Sequence, residues 1–184
     1  MKEHTQNFIV LSIAYLVSFS LTMAIISPLQ SVLLSNVPAS ISLLFLPHGV
    51  RIIAAHYFGW KSMLYLLPSS YLMYALMIEA QGNILPLEAP LISLLSSYIG
   101  VKLVSLFAHV ASRDMSASAW KWLLLAGLVG SIFNGLGIGL LQGHISLITQ
   151  MLGYALGDVS GQFALMIALI YYFRYIQTDD VTEN

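Results

Sequence analysis

Hydrophobic positions in this chain neither alternate at strand spacing nor line one face of an amphipathic helix. They run almost unbroken for about the length of a membrane span and stop at short polar connections. The runs are Phe8 to Ile26, Ser40 to Phe58, Ser62 to Met77, Leu91 to Ala111, Trp120 to Leu141 and Ile145 to Phe173. Each predicts a helix, because a backbone in lipid must satisfy its own hydrogen bonds. The first run is longer than the core of a signal peptide and lacks a small-x-small cleavage site, so it reads as a retained helix closed by Pro28. Leu29 to Val37 reads as a re-entrant or interfacial piece. The second run is interrupted by Pro47-His48-Gly49. That tripeptide predicts either a break buried in the bundle, with a half-helix after Gly49 aiming its positive end inward, or the first turn of a short helix, with Leu29 to Phe45 in the outer leaflet.

Composition fixes the class. Of 184 residues 58% are hydrophobic and only 8% are charged, about a third of the charge density of a soluble domain. So little charge cannot coat a soluble surface, and a formal net charge of −1 gives no general attraction to nucleic acid. The fold class predicted is therefore an all-α, polytopic membrane helix bundle of six spans. It forms one domain over residues 1–177, followed by a short acidic tail over 178–184 that is expected to be disordered. With no cysteine, the chain can form no disulfide, thiolate nucleophile or cysteine-ligated metal site.

Charge placement orients the six spans. Lys2, Lys61, Arg113, Lys121 and Arg174 fall on one set of alternate connections, and Glu79 and Glu88 fall on the other. The positive-inside rule then puts both termini in the cytoplasm. Trp60, Trp120 and Trp122 neighbour the cytoplasmic lysines, and Tyr171, Tyr172 and Tyr175 complete an aromatic belt at the same interface.

Small residues recur at spacing four in the last two spans: Gly127, Ser131, Gly135 and Gly139, then Gly153, Gly157 and Gly161. Such grooves let helix backbones approach closely, so these two spans are expected to pack together. The sixth span also carries a polar stripe of Gln150, Tyr154, Asp158 and Gln162. An acid at mid-span costs about 2.5–3.5 kcal/mol unless it is paired or protonated, so Asp158 should face the bundle interior as a structural acid, a proton relay or a ligand contact. Two cations could answer it. Lys102 lies deeper than Arg51 and has more reason to face inward, whereas Arg51 could snorkel to the interface. Convergence of Arg51, Lys102 and Asp158, with His48, Tyr154 and Gln162 nearby, would leave one positive charge for an anionic or carboxylate-bearing ligand.

The other chemistry is sparse. His48 and His56, eight residues apart, would suit two haems only with partners opposite, and His109 and His144 do not demand it, so no cofactor or metal is expected. No metalloprotease, nucleophile-elbow, phosphate-loop or paired-carboxylate motif occurs, and the chain reads as non-enzymatic.

Two segments resemble a known family. Leu46-Pro47-His48-Gly49-Val50-Arg51, leading through Ala54-Ala55 to Phe58-Gly59-Trp60, resembles the Pro-x-Gly helix start and aromatic-glycine turn of a family of bacterial integral-membrane sensor domains, the first class of membrane-associated sensor. Leu156-Gly157-Asp158-Val159-Ser160-Gly161 resembles the family's Gly-Asp-x-x-Gly in its final membrane helix. The resemblance covers residues 40 to 175 and implies an inner-membrane bundle that senses a stimulus, usually fused to a histidine kinase or diguanylate cyclase. This chain departs from the family in having fewer spans and no output domain after the last one. That difference predicts action through a membrane-protein partner or a second copy. A small transporter or substrate-binding subunit, and an assembly factor gripping another membrane protein, are the other readings.

Overall fold

The computed structural model describes residues 2–33, 42–81, 86–108, 119–142 and 147–182, and among them it is all helical, with no strand. The first helix is longer than its apolar run. α1 (Lys2–Leu21) passes through a π-helical turn (Thr22–Ile26) into α2 (Ser27–Leu33) as one 32-residue rod. Pro28 therefore does not close it. A proline inside a helix has no N–H to give and crowds the carbonyl four residues back. The wider turn just before Pro28, in which the Ser27 N–H reaches the Thr22 carbonyl, relieves that crowding. Leu29 to Leu33, expected to be re-entrant, continue this rod, and residues 34–41 lie outside the described residues.

Residues 42–45 are not helical, and α3 (Leu46–Phe58) starts with Pro47 in its first turn, where a missing N–H costs nothing. Of the two readings of Pro47-His48-Gly49, the structure takes the helix start, without an internal break. At 13 residues α3 is about 20 Å long, too short for a full span. Gly59, at φ 57°, ends it in a backbone conformation that favours glycine, and its N–H bonds the Ala55 carbonyl at 2.9 Å. The Gly59 carbonyl then accepts from the Ser62 hydroxyl at 2.6 Å, starting α4 (Lys61–Gln81). α5 (Ala89–Ala108), α6 (Ala119–Gln142) and α7 (Leu147–Thr182) follow. α7 runs through residues 178–182, so the acidic tail expected to be disordered is helical as far as Thr182.

Among the described residues, four helices are long and apolar enough to cross a membrane: Lys2–Leu33, Ala89–Phe107, Trp120–Gln142 and Met151–Tyr175. α4 is as long as a span but more polar, with Pro68, Ser69, Ser70 and three tyrosines along it. The outer surface is apolar, with Val32, Phe107 and Leu140 largely exposed, as expected of a bundle whose solvent is lipid.

α3 organises the rest. It packs against α1, α4, α5, α6 and α7, which follow one another around it as α1–α4–α5–α6–α7. The non-helical residues 42–45 bridge the remaining side, between α1 and α7. Phe45 stacks edge-on against Phe19 of α1 at 5.9 Å while its N–H bonds the Gly157 carbonyl of α7 at 2.8 Å. His4 and Tyr15 of α1 meet Tyr65 and Ser70 of α4, Gly100 and Ile92 of α5 meet Gly130 and Gly137 of α6, and Leu123 and Ser131 of α6 meet Gln162 and Asp158 of α7. α1 and α4 therefore run parallel, α5 and α7 run antiparallel to α6, and the ends bearing Lys2, Lys61 and Lys121 gather at one end of the bundle. Glu79 and Glu88 sit at the opposite end of α4 and the start of α5.

Candidate functional site

The start of α3 is held inside the bundle with its backbone donors already used. The Leu46 N–H bonds Thr22 Oγ1 of the π-helical turn at 3.3 Å, Pro47 has no N–H, and the His48 N–H bonds the Phe45 carbonyl at 3.3 Å. The positive end of this half-helix is thus satisfied by protein, and it does not aim free N–H groups at a ligand as the sequence suggested. Its contribution is to place two side chains, His48 and Arg51, three residues apart and so close together on one face.

His48 is 1% exposed and sits between α6 and α7. Its Nε2 lies 3.2 Å from the Gly127 carbonyl, which can only accept, and 3.4 Å from the Ser131 hydroxyl, which can donate or accept, so the tautomer with a proton on Nε2 suits both contacts. Its Nδ1 is 3.3 Å from Asp158 Oδ2, within ion-pair distance but not aligned for a hydrogen bond. Asp158, also 1% exposed, accepts a 3.0 Å bond from the Ser131 hydroxyl. That hydroxyl has a second acceptor in the Gly127 carbonyl at 2.9 Å, and it carries only one hydrogen to share between them. Asp158 therefore faces inward, hydrogen-bonded by Ser131 and within ion-pair distance of His48.

Arg51 also faces inward, at 3% exposure. Its guanidinium carbon stands 5.3 Å from the centre of the Phe45 ring, a cation–π contact worth about 2 kcal/mol when desolvated. Its Nε and Nη2 have no hydrogen-bond partner, and among the described residues the guanidinium forms no ion pair. A buried guanidinium with open donors is costly to hold, and Asp158 lies beyond ion-pair distance of it.

The remaining site candidates separate cleanly. Gln162 is fully buried, with Nε2 donating to the Leu123 carbonyl at 2.8 Å and Oε1 unpartnered, so it ties α7 to α6 one turn beyond Asp158. Tyr154 packs against Tyr74, Ala89 and Ile138 and lies within electrostatic reach of both Asp158 and Arg51. Lys102 does not join them. Its side chain is exposed on the outside of α5, so the expected three-way convergence reduces to Arg51 and Asp158. Depth decides what a lysine costs, but the helix face it occupies decides where it points, and its long stem lets the ammonium leave the apolar layer. The side chain of Gln150, with Arg113, His109 and His144, lies outside the described residues. His56 stacks edge-on with Tyr57 and lines a cavity of about 20 Å³ with Trp122 and Val101, room for one water and distant in sequence register from the His48 end of α3.

The small-residue stripes do different work from that expected. α6 and α7 pack together, and Gly135, Gly139 and Gly153 are buried. Gly157 and Gly161, however, make room for the non-helical segment 42–45 and not for α6. A β-carbon on Gly157 would stand 1.8 Å from the Ser42 carbonyl oxygen, and one on Gly161 would stand 2.3 Å from the Phe45 backbone. The Ser160 hydroxyl bonds the Leu43 carbonyl between them. Ser131, grouped with the glycines by spacing, belongs to the polar site. The closest helix–helix backbone approach is between Gly100 of α5 and Gly130 of α6, where an added β-carbon on Gly100 would meet the Ala126 carbonyl oxygen at 2.4 Å. Both were missed, because Gly100 stands alone in its helix and Gly130 is out of phase with the four-residue stripe. Thr22 was missed too, since a lone threonine in an apolar run carries no signal of the amide it accepts from.

Comparison of the chain with family models, with curated proteins and with solved structures finds no match.

Proposed function

We propose that the chain is a non-enzymatic, multi-pass inner-membrane protein that binds a small anionic ligand at Arg51, inside the bundle, and passes its occupancy to another membrane protein or a second copy of itself. The observation that carries this reading is the Arg51 guanidinium: buried, stacked on Phe45, and left with two open nitrogens while the nearest acid is engaged by His48 and Ser131. A carboxylate or similar anion would supply the missing charge and acceptors together. In this reading α3 and α4 complete a six-span bundle with both termini in the cytoplasm, in keeping with the segregation of lysines and glutamates to opposite ends. The sensor-domain resemblance of Leu46–Arg51 and Gly157–Gly161 supports the same role, since both segments line or brace this site.

Thermal unfolding of the purified protein in detergent, with sodium acetate, benzoate or phosphate at constant ionic strength, tests it. Saturation to about 100 times the dissociation constant stabilises a folded state by about 2.7 kcal/mol, which is about 5–10 °C for a chain of this size. At least one anion should raise the wild-type midpoint by that amount and leave Arg51→Gln unmoved. Equal response of the two proteins, or no response to any of the three, defeats the proposal.

A carrier is the second reading, favoured by one feature. α3 is a half-length helix led by a non-helical segment at a buried polar site, the arrangement carriers use to bind solutes near the midplane. Uptake of radiolabelled benzoate or phosphate into proteoliposomes separates the two, because a sensor binds without flux.

A further inference from the structure

The His48–Asp158 pair is placed to share a proton. With Nε2–H on the Gly127 carbonyl, Nδ1 carries no hydrogen and stands 3.3 Å from a carboxylate oxygen. Two electron-rich atoms at that distance, shielded from water, repel. One proton on either partner removes the repulsion, and the pair is then neutral whether it exists as imidazole and carboxylic acid or as imidazolium and carboxylate. The Ser131 hydroxyl is placed to follow that proton. It can donate to Asp158 Oδ2 when the carboxylate is charged, and turn to the Gly127 carbonyl when the proton sits on the acid.

Resting on the anion-binding reading above, we infer that the His48–Asp158 pair is a proton-binding site that sets the charge of the Arg51 anion site, so that anion and proton bind together. With one proton on the pair, the cluster of Arg51, His48 and Asp158 carries +1 and a monoanion neutralises it. When the pair loses the proton, the cluster is neutral without a ligand and the attraction is gone. Anion affinity therefore falls as pH rises. Among the described residues, no other group facing the pair sets this charge. α6 brings the neutral Ser131, and α7 brings the phenol of Tyr154. α4 brings Tyr71 and Tyr74, near the exposed Glu88 that leads into α5. α1 brings Tyr15, bonded to Ser70 at 3.4 Å, and the one charged side chain of α5, Lys102, is exposed on the outside.

Benzoate affinity, read from thermal stabilisation between pH 5.5 and 9, tests the coupling. Above a single midpoint the wild type should lose up to about tenfold in affinity per pH unit, the limit for one linked proton. Asp158→Asn should flatten the profile, and the milder Ser131→Ala should move the midpoint while keeping the slope. Nitrogen-15 NMR of histidine-labelled protein, with His48 assigned by His48→Gln, reads the proton without any anion. The wild type should show a protonated Nε2 throughout and one titration step at Nδ1 that Ser131→Ala displaces. A pH-independent benzoate affinity, an Asp158→Asn profile as steep as the wild type, or a neutral Nδ1–H tautomer overturns the coupling and leaves Arg51 as a simple anion site. A titration step at Nδ1 with no benzoate binding at any pH overturns the anion reading, and the coupling with it.

Discussion

Gly127 and Gln162 face each other so closely that a β-carbon on Gly127 would stand 1.7 Å from Gln162 Oε1. The glycine is there to admit the amide, whose Nε2 holds the Leu123 carbonyl. Gly127→Ala should displace the amide, break that bond and cost about 1–3 kcal/mol. Gln162→Ala in the same chain should recover part of the loss, because the clash and the bond disappear together. Chemical unfolding of the single and double variants measures the coupling, and additive losses would show that the contact does not matter.

Gly161 and Gly59 should lose very different amounts of stability to the same substitution. A methyl group at position 161 meets the Phe45 backbone at 2.3 Å, which cannot rotate away, whereas at position 59 nothing lies within 4 Å and only the φ of 57° resists. Gly59→Ala should cost about 1–2 kcal/mol. Gly161→Ala should abolish monodisperse protein in detergent, as judged by size-exclusion chromatography.

Thr22 joins the rod to the start of α3 through one hydroxyl, donating to the Ser18 carbonyl at 2.9 Å and accepting from the Leu46 N–H at 3.3 Å. Thr22→Val keeps the shape and strands that amide. A loss of about 1–3 kcal/mol is expected, with hydrogen exchange at Leu46 accelerated ahead of α5 and α6.

Lys102 offers the control for Arg51. Both are cations within apolar helices, but only Arg51 is enclosed. Lys102→Gln should leave anion-dependent stabilisation unchanged. Arg51→Lys should keep only part of it, because an ammonium supplies a charge without the planar pair of donors.

The chain has no cysteine, so single cysteines report location without background. Lys61→Cys and Glu88→Cys, at opposite ends of the bundle, should react with a membrane-impermeant maleimide from opposite faces of inverted vesicles, with Glu88→Cys labelled from the periplasmic side. Labelling of both from one side would remove the six-span arrangement.

How much of this was legible in the sequence follows from where each constraint resides. The runs that became α4, α5, α6 and α7 were readable to within a few residues at most ends, because an apolar stretch in lipid satisfies its backbone locally and only as a helix. Asp158 was readable as inward-facing for the same energetic reason. The non-helical residues 42–45 were not readable. Ser42, Leu43, Leu44 and Phe45 are as apolar as a helix interior, and what holds them out of a helix is a pair of glycines and a serine on α7. The π-helical turn is equally hidden, since Pro28 signals disruption but not how the helix absorbs it. Lys102 misled because burial depth can be counted along a chain, but rotation about the helix axis cannot.

The bond from Ser160 to the Leu43 carbonyl joins residues 117 apart, so the segment leading into α3 has no seat until α7 has been made. At cellular rates of synthesis that interval is on the order of ten seconds. Throughout it, a helix too short to cross the bilayer and carrying Arg51 must wait beside its finished neighbours, at the membrane surface or shielded within the insertion machinery. α7, made well after α3, is thus the helix that draws Arg51 inside, and a nascent chain stalled before Gly157 would display that arginine to the quality-control proteases of its membrane.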